Sequence, residues 1–150
     1  MSKDRRNRWA SIIDELDVLA AMALPPERAA AVVVRGDEIL ARGHCVRLPY
    51  DASRQQHSSA DSTEKQRARA KPLHAEIMAL CDFLKLSGTV DIAACELFTN
   101  TMPCAQCAQA LVVLDVKAVY YLKPFDNNLG ELVLDEAEIP CRRFDRDGYS

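Results

Sequence analysis

Residues 97–122, LFTNTMPCAQCAQALVVLDVKAVYYL, pass from one kind of order to another and back. Leu97-Phe98-Thr99 is a short apolar run suited to a strand. Residues 104–114, rich in Ala, Leu and Val, fit a buried helix, and Ala118-Val119-Tyr120-Tyr121-Leu122 reads as a strand again. Strand, helix and strand in close succession point to an α/β chain, in which helices cover a sheet.

The flanking sequence extends the same alternation. Trp9, Ile12, Ile13, Leu16 and Leu19 recur at helical spacing between acidic residues, and Pro25-Pro26 stops that helix. The apolar run 29–34, a Gly36-Asp37 turn and Ile39-Leu40-Ala41 predict a hairpin. Residues 74–86, HAEIMALCDFLKL, predict a helix with Ile77, Leu80, Cys81 and Leu84 on its inner face. A helix over 128–137, with Leu129, Leu132 and Val133 inward, and a short strand over 140–144 complete the series. The expected order is α-β-β-α-β-α-β-α-β: one domain over 1–150 with a mixed five-stranded sheet between helices. Its last two strands can run parallel because a helix separates them. Segment 50–72 is polar and has no large aliphatic side chain before its end, which predicts a flexible insertion over the active site.

Composition narrows the function classes. Hydrophobic residues make up 49% and charged residues 27% of the 150, as in a soluble globular domain. No apolar run reaches the roughly 18 residues of a membrane span, and the charged N-terminus does not read as a signal peptide, so a cytoplasmic location is expected. A net charge of -3 and a pI near 5.6 disfavour a nucleic-acid partner, with only Lys3, Arg5, Arg6 and Arg8 as a local basic excess. Of the six cysteines, Cys104 and Cys107 are close-set, which in a reducing compartment points to metal or catalysis. Cys45, Cys81, Cys95 and Cys141 sit among apolar residues and read as buried thiols.

The informative constellation is His74-Ala75-Glu76 with Pro103-Cys104-Ala105-Gln106-Cys107. Cysteines three apart at a helix start share a face, near the end where unpaired N–H groups favour thiolates. His74 opens a helix of its own after Pro72. One imidazole and two thiolates can hold Zn2+ and leave a fourth position open, as a catalytic site requires. Glu76, two residues past His74, can reach a water at that position and move its protons. A lone C-x-x-C would equally fit a redox pair or half of a zinc ribbon. No second pair and no thioredoxin-like lead-in is present.

With these residues in this order, the sequence resembles the cytidine/deoxycytidylate deaminase superfamily, whose signature is H-x-E followed by P-C-x-x-C. The likeness runs from Trp9 to Phe144 outside the insertion. It implies a cytidine deaminase-like three-layer α/β/α sandwich, Zn2+ on His74, Cys104 and Cys107, Glu76 as the catalytic proton carrier, and a homo-oligomer packed through the zinc helices. The layout is closer to deoxycytidylate deaminases: Arg8-Trp9, the hairpin, the long insertion, and the ending over 134–143. That implies hydrolysis of the 4-amino group of a deoxycytidine nucleotide, a small-molecule substrate. The HAEIMAL segment is similar to that of tRNA adenosine deaminases, and Met78 stands where deoxycytidylate deaminases usually carry Asn. Cys45 stands where both branches place a sugar-contacting Asn, and a thiol is a poor hydrogen-bonding group. A modified pyrimidine or another aminated base therefore stays open beside the nucleotide, as does a non-catalytic protein that keeps zinc for stability.

The remaining substrate-side candidates are Cys45, the backbone at Ala75 and Cys104, Asn100 after the third predicted strand, and Tyr121, Phe125 and Asp126 after the fourth. His44 and His57 could join Cys45 in a second metal site, although packed or solvated histidines are commoner. Lys65, Arg67, Arg69 and Lys71 could bind a phosphate or form a solvated face.

Overall fold

The computed structural model describes residues 3–47, 71–86, 88 and 90–149. The expected insertion 50–72 lies outside these apart from Lys71 and Pro72, as do His57, Lys65, Arg67 and Arg69. Helix α1 spans Lys3–Met22, and the hairpin follows as β1 (Ala30–Arg35) and β2 (Glu38–His44). Next come α2 (Ala75–Leu84), a 3-10 turn (Ile92–Ala94), β3 (Glu96–Thr101), α3 (Ala105–Leu114), β4 (Ala118–Lys123), α4 (Leu129–Glu136), β5 (Cys141–Asp145) and β6 (Gly148–Tyr149). No helix among the described residues is long and apolar enough to cross a membrane.

The strands form one sheet in the order β2-β1-β3-β4-β5-β6. β1 is antiparallel to β2 and β3, whereas β3, β4 and β5 run parallel, each pair joined through a crossing helix. The cytidine deaminase-like mixed sheet is as expected, including parallel β4 and β5, but it has six strands and not five. The sixth arises because Asp147 and Gly148 reverse the chain: the Asp147 N–H donates to the Asp145 carboxylate at 2.8 Å and Gly148 takes a φ of 135. Tyr149 is thereby laid 5.9 Å from the Trp9 ring and 5.6 Å from Tyr120.

Side-chain alternation along the strands builds two cores. Val32, Val34, Phe98 and Tyr120 face α1, where they pack on Trp9, Ile12 and Leu16. Ala31, Val33, Leu97, Val119 and Tyr121 face the layer of α2, α3 and α4. β1 is buried from Ala30 to Val34, which is why its five-residue apolar run shows no alternation in sequence.

Two helices turn differently from their expected faces. In α2 the buried residues are Ala75, Glu76, Ala79, Leu80 and Phe83, whereas Cys81 is exposed and Leu84 is 72% exposed. In α4 the buried residues are Gly130 and Leu134, and Leu129 and Leu132 are 52% and 48% exposed. The cause is backbone contact. A Cβ on Gly43 would lie 2.3 Å from the Ala79 nitrogen and 2.4 Å from the Ala75 oxygen, so α2 rests directly on β2 through its small residues. A Cβ on Gly130 would lie 1.9 Å from the Pro103 oxygen, so α4 abuts the segment leading into α3. Cys81 is thus no buried thiol, while Cys95 and Cys141 are.

Gly43→Ala forces α2 off the sheet. It is expected to lower the unfolding free energy by about 1–3 kcal/mol, measured as a lower midpoint of urea denaturation. An unchanged midpoint would show that α2 does not depend on this approach.

Candidate metal and active site

Both helix starts carry a residue that leaves its helix uncapped. His74 is the N-cap of α2 (φ -71, ψ 152) and Cys104 the N-cap of α3 (φ -70, ψ 171); neither side chain bonds to its own helix. Ser, Thr, Asp or Asn at such positions would contribute about 1 kcal/mol. Here the side chains turn toward each other. His74 Nδ1 lies 3.2 Å from Cys107 Sγ and 3.4 Å from Cys104 Sγ, and the three ligand atoms all fall within 4.8 Å of one another. Among the described residues no fourth His, Cys, Asp or Glu joins the group.

These positions fit a zinc ion. Tetrahedral bonds of about 2.3 Å to sulfur and 2.0–2.1 Å to nitrogen put N and S about 3.5 Å apart. The charges also call for a cation. Glu76 is 6% exposed, and burial raises its pKa, partly opposed by its own backbone N–H and by Cys107. The Cys107 thiol is raised strongly by burial, then by Glu76 and Cys104. A buried carboxylate and two thiols around one imidazole lack positive charge, and a divalent ion there would turn the thiols into thiolates. Two sulfurs and an imidazole are a donor set suited to zinc.

His74, Glu76 and Cys104 open into a cavity of about 570 Å³ outside the carboxyl end of β3. Leu24, Pro25, Pro26 and Glu27 contribute one wall, Thr101 and Met102 another, and Phe125 a third. The remaining side is a single antiparallel bridge, in which Val46 and Leu73 exchange N–H···O bonds of 3.1 and 2.7 Å. Alternation about this bridge brings Cys45 and Arg47 into the cavity from one strand, and Pro72 and His74 from the other.

Of the seven residues expected on the substrate side, Cys104 and Phe125 line the cavity, and so does Cys45. Its thiol pKa is raised, by burial first and then by Glu76 and Glu27, with Arg47 opposing. Its backbone is already committed: the N–H donates to Ala29 O at 3.0 Å, and the carbonyl accepts from Leu24 at 3.1 Å. Ala75 and Tyr121 are buried in the core beneath α2, α3 and α4. Asn100 donates to Arg28 O at 2.8 Å and accepts from the Ala30 N–H at 2.9 Å, so it anchors the loop between α1 and β1. Asp126 is exposed, and its neighbour Phe125 lines the cavity instead. His44 is absent from the lining, and its Nδ1 is buried without a partner among the described residues. Glu27, Arg47, Pro72 and Leu24 escaped the sequence reading. Pro25-Pro26 signalled only the end of a helix, and isolated loop charges carry no periodic signal.

No curated protein sequence matches this chain. Among solved structures, dCMP deaminase from the cyanophage S-TIM5, in complex with dCMP and dUMP, is similar over 96% of this chain and 99% of its own, with 22% identity and a TM-score of 0.72. RibD from Acinetobacter baumannii is similar over 93% of this chain and 36% of its own (22% identity, TM-score 0.63). A structure from studies of A-to-I editing by tRNA:A34 deaminases covers 81% of this chain and 78% of its own (20% identity, TM-score 0.51). At these identities the likeness is one of fold. The family described as the cytidine and deoxycytidylate deaminase zinc-binding region matches residues 13–123. The chain, with its His/Cys/Cys group inside that span, belongs to this family of zinc-binding deaminases.

Proposed function

We propose that this chain is a zinc-dependent hydrolytic deaminase that converts the amino group of a deoxycytidine nucleotide to a carbonyl and releases ammonia. The observation that carries the reading is the three-ligand group open to a cavity, with a buried carboxylate beside it. His74, Cys104 and Cys107 would hold the zinc. When bound there, the ion supplies a polarised water whose pKa falls toward about 7.

The chain's own part is proton traffic and positioning. A Glu76 carboxylate oxygen takes a proton from the attacking water and gives it to the ring nitrogen beside the reacting carbon. A second proton from the same oxygen of water goes by the same carboxylate to the exocyclic nitrogen. The carbon–nitrogen bond then breaks, leaving a carbonyl and ammonia. Burial raises the Glu76 pKa, which favours its proton-bearing form between the two transfers. Met102 and Phe125 offer apolar surface for a flat ring, and the cavity is large enough for a nucleotide.

The nucleotide is supported by the fold likeness to the cyanophage dCMP deaminase, which extends over nearly the whole of both chains. A different aminated base is favoured by one observation: Cys45 offers neither a good side-chain partner nor a free backbone group to a sugar. An RNA substrate finds little support in a cavity where Arg47 is the sole lysine or arginine among the described lining residues.

Ammonia release from dCMP, cytidine, cytosine, 5-substituted dCMP, adenosine and a tRNA anticodon stem-loop separates these substrates. dCMP is expected to lead, and turnover of a base or stem-loop alone would overturn the nucleotide. Glu76→Ala should keep about one zinc per chain and lose about 10²–10⁴-fold in kcat. Wild-type turnover by that variant would remove Glu76 from the reaction. Cys107→Ser should lower zinc content, measured by elemental analysis, and a chelator should abolish activity that added zinc restores. Full activity in the metal-free protein would sink the zinc role.

A further inference from the structure

Two charged side chains line the cavity without a part in the proton chemistry at its floor. Glu27 comes from the loop between α1 and β1, and Arg47 from the segment after β2. Both are exposed, and neither forms an ion pair with another described residue. Their loops are fixed relative to each other. The Leu24 N–H donates to Cys45 O at 3.1 Å, and the Cys45 N–H to Ala29 O at 3.0 Å. Asn100 pins the Glu27 loop from below through Arg28 O and the Ala30 N–H, at 2.8 and 2.9 Å. Arg47 follows directly on the Val46–Leu73 bridge. Cys45 lines the same cavity as Glu76, Glu27 and Arg47.

Resting on the deaminase reading, we propose that Arg47 and Glu27 form a charge filter at the cavity mouth, selecting a substrate with a single terminal phosphate. Arg47 is the sole guanidinium or ammonium among the described lining residues, and an anionic group is drawn to it there. Its planar fork fits two phosphate oxygens. That contact holds the ring end of the nucleotide toward His74 and Glu76. Glu27 lines the same opening with the opposite sign and repels further phosphates that come within the screening length, about 8 Å at physiological salt. With the amide of Asn100 and the backbone of Cys45 already bonded to the protein, recognition beyond the ring falls, among the described residues, to these two charges.

The filter is tested by calorimetric titration of the full zinc-loaded chain with dUMP, deoxyuridine and dUTP, which need no turnover. Wild-type protein is expected to prefer dUMP to both. Arg47→Gln should reduce the dUMP-to-deoxyuridine affinity ratio by about 10–100-fold, and Glu27→Gln should raise the dUTP-to-dUMP ratio by about 3–10-fold. A loss of structure at either loop would weaken all three ligands together and leave both ratios unchanged, which overturns the filter. Equal binding of dUMP and deoxyuridine by the wild type overturns it as well. Absence of ammonia release from dCMP, with the ratios behaving as stated, would instead remove the deaminase reading and keep the nucleotide site.

Discussion

Helices α2 and α3 point their amino ends at one another, and the site exists because neither end is capped by its own side chain. Each amino end leaves backbone N–H groups unpaired and carries the positive pole of its helix. Converging poles of one sign repel unless negative charge lies between them. The thiols of Cys104 and Cys107 supply that charge only as thiolates, whereas burial first and then Glu76 raise the Cys107 pKa. A divalent ion resolves the conflict. With it bound, Cys104 and Cys107 would stand as thiolates, whose charge would answer both helix poles and the metal.

The rest of the fold keeps those two helix ends together. Gly43 lets α2 lie on β2 at backbone distance, and Gly130 lets α4 press on Pro103, immediately before the first cysteine. Parallel β3 and β4 deliver the chain to the same edge of the sheet, where the Met102 N–H donates to Lys123 O at 2.9 Å and ties the cysteine segment to the end of β4. Side chains would hold the metal, but backbone contacts too short for any Cβ set where those side chains stand.

Much of this was legible in the sequence. The hairpin, the strand–helix–strand run of 97–122 and the H-x-E and P-C-x-x-C pairs carry short-range signals, namely periodicity and fixed spacing at helix starts. The faces of α2 and α4 were not legible, because counting large aliphatics assumes that large residues face inward. Where a glycine brings two backbones together, alanines and glycines go inside, and leucines such as Leu84 and Leu132 are turned out. Strand β6 was missed because two residues leave no period to detect. The cavity wall was illegible for another reason. Glu27 and Arg47 come from two loops apart in sequence, and only the folded sheet brings them to one opening with Phe125.

Asn100 shows why a polar residue near a site cannot be given a ligand role by its type alone. It lies in β3 immediately before Thr101, which lines the cavity, and its amide could serve a substrate in both senses. The fold uses both senses for itself, one on Arg28 O and one on the Ala30 N–H. A buried or half-buried amide left unpaired costs roughly 1–3 kcal/mol, so the loop between α1 and β1 has the stronger claim on it. Cys45 follows the same logic with its backbone, and its sulfur adds little polar capacity. Once those groups are committed, the described lining offers a ligand apolar surface, the buried Glu76 carboxylate and the opposite charges of Arg47 and Glu27. Selectivity in such a site comes from charge placement more than from a network of neutral hydrogen bonds, and so should weaken as salt rises.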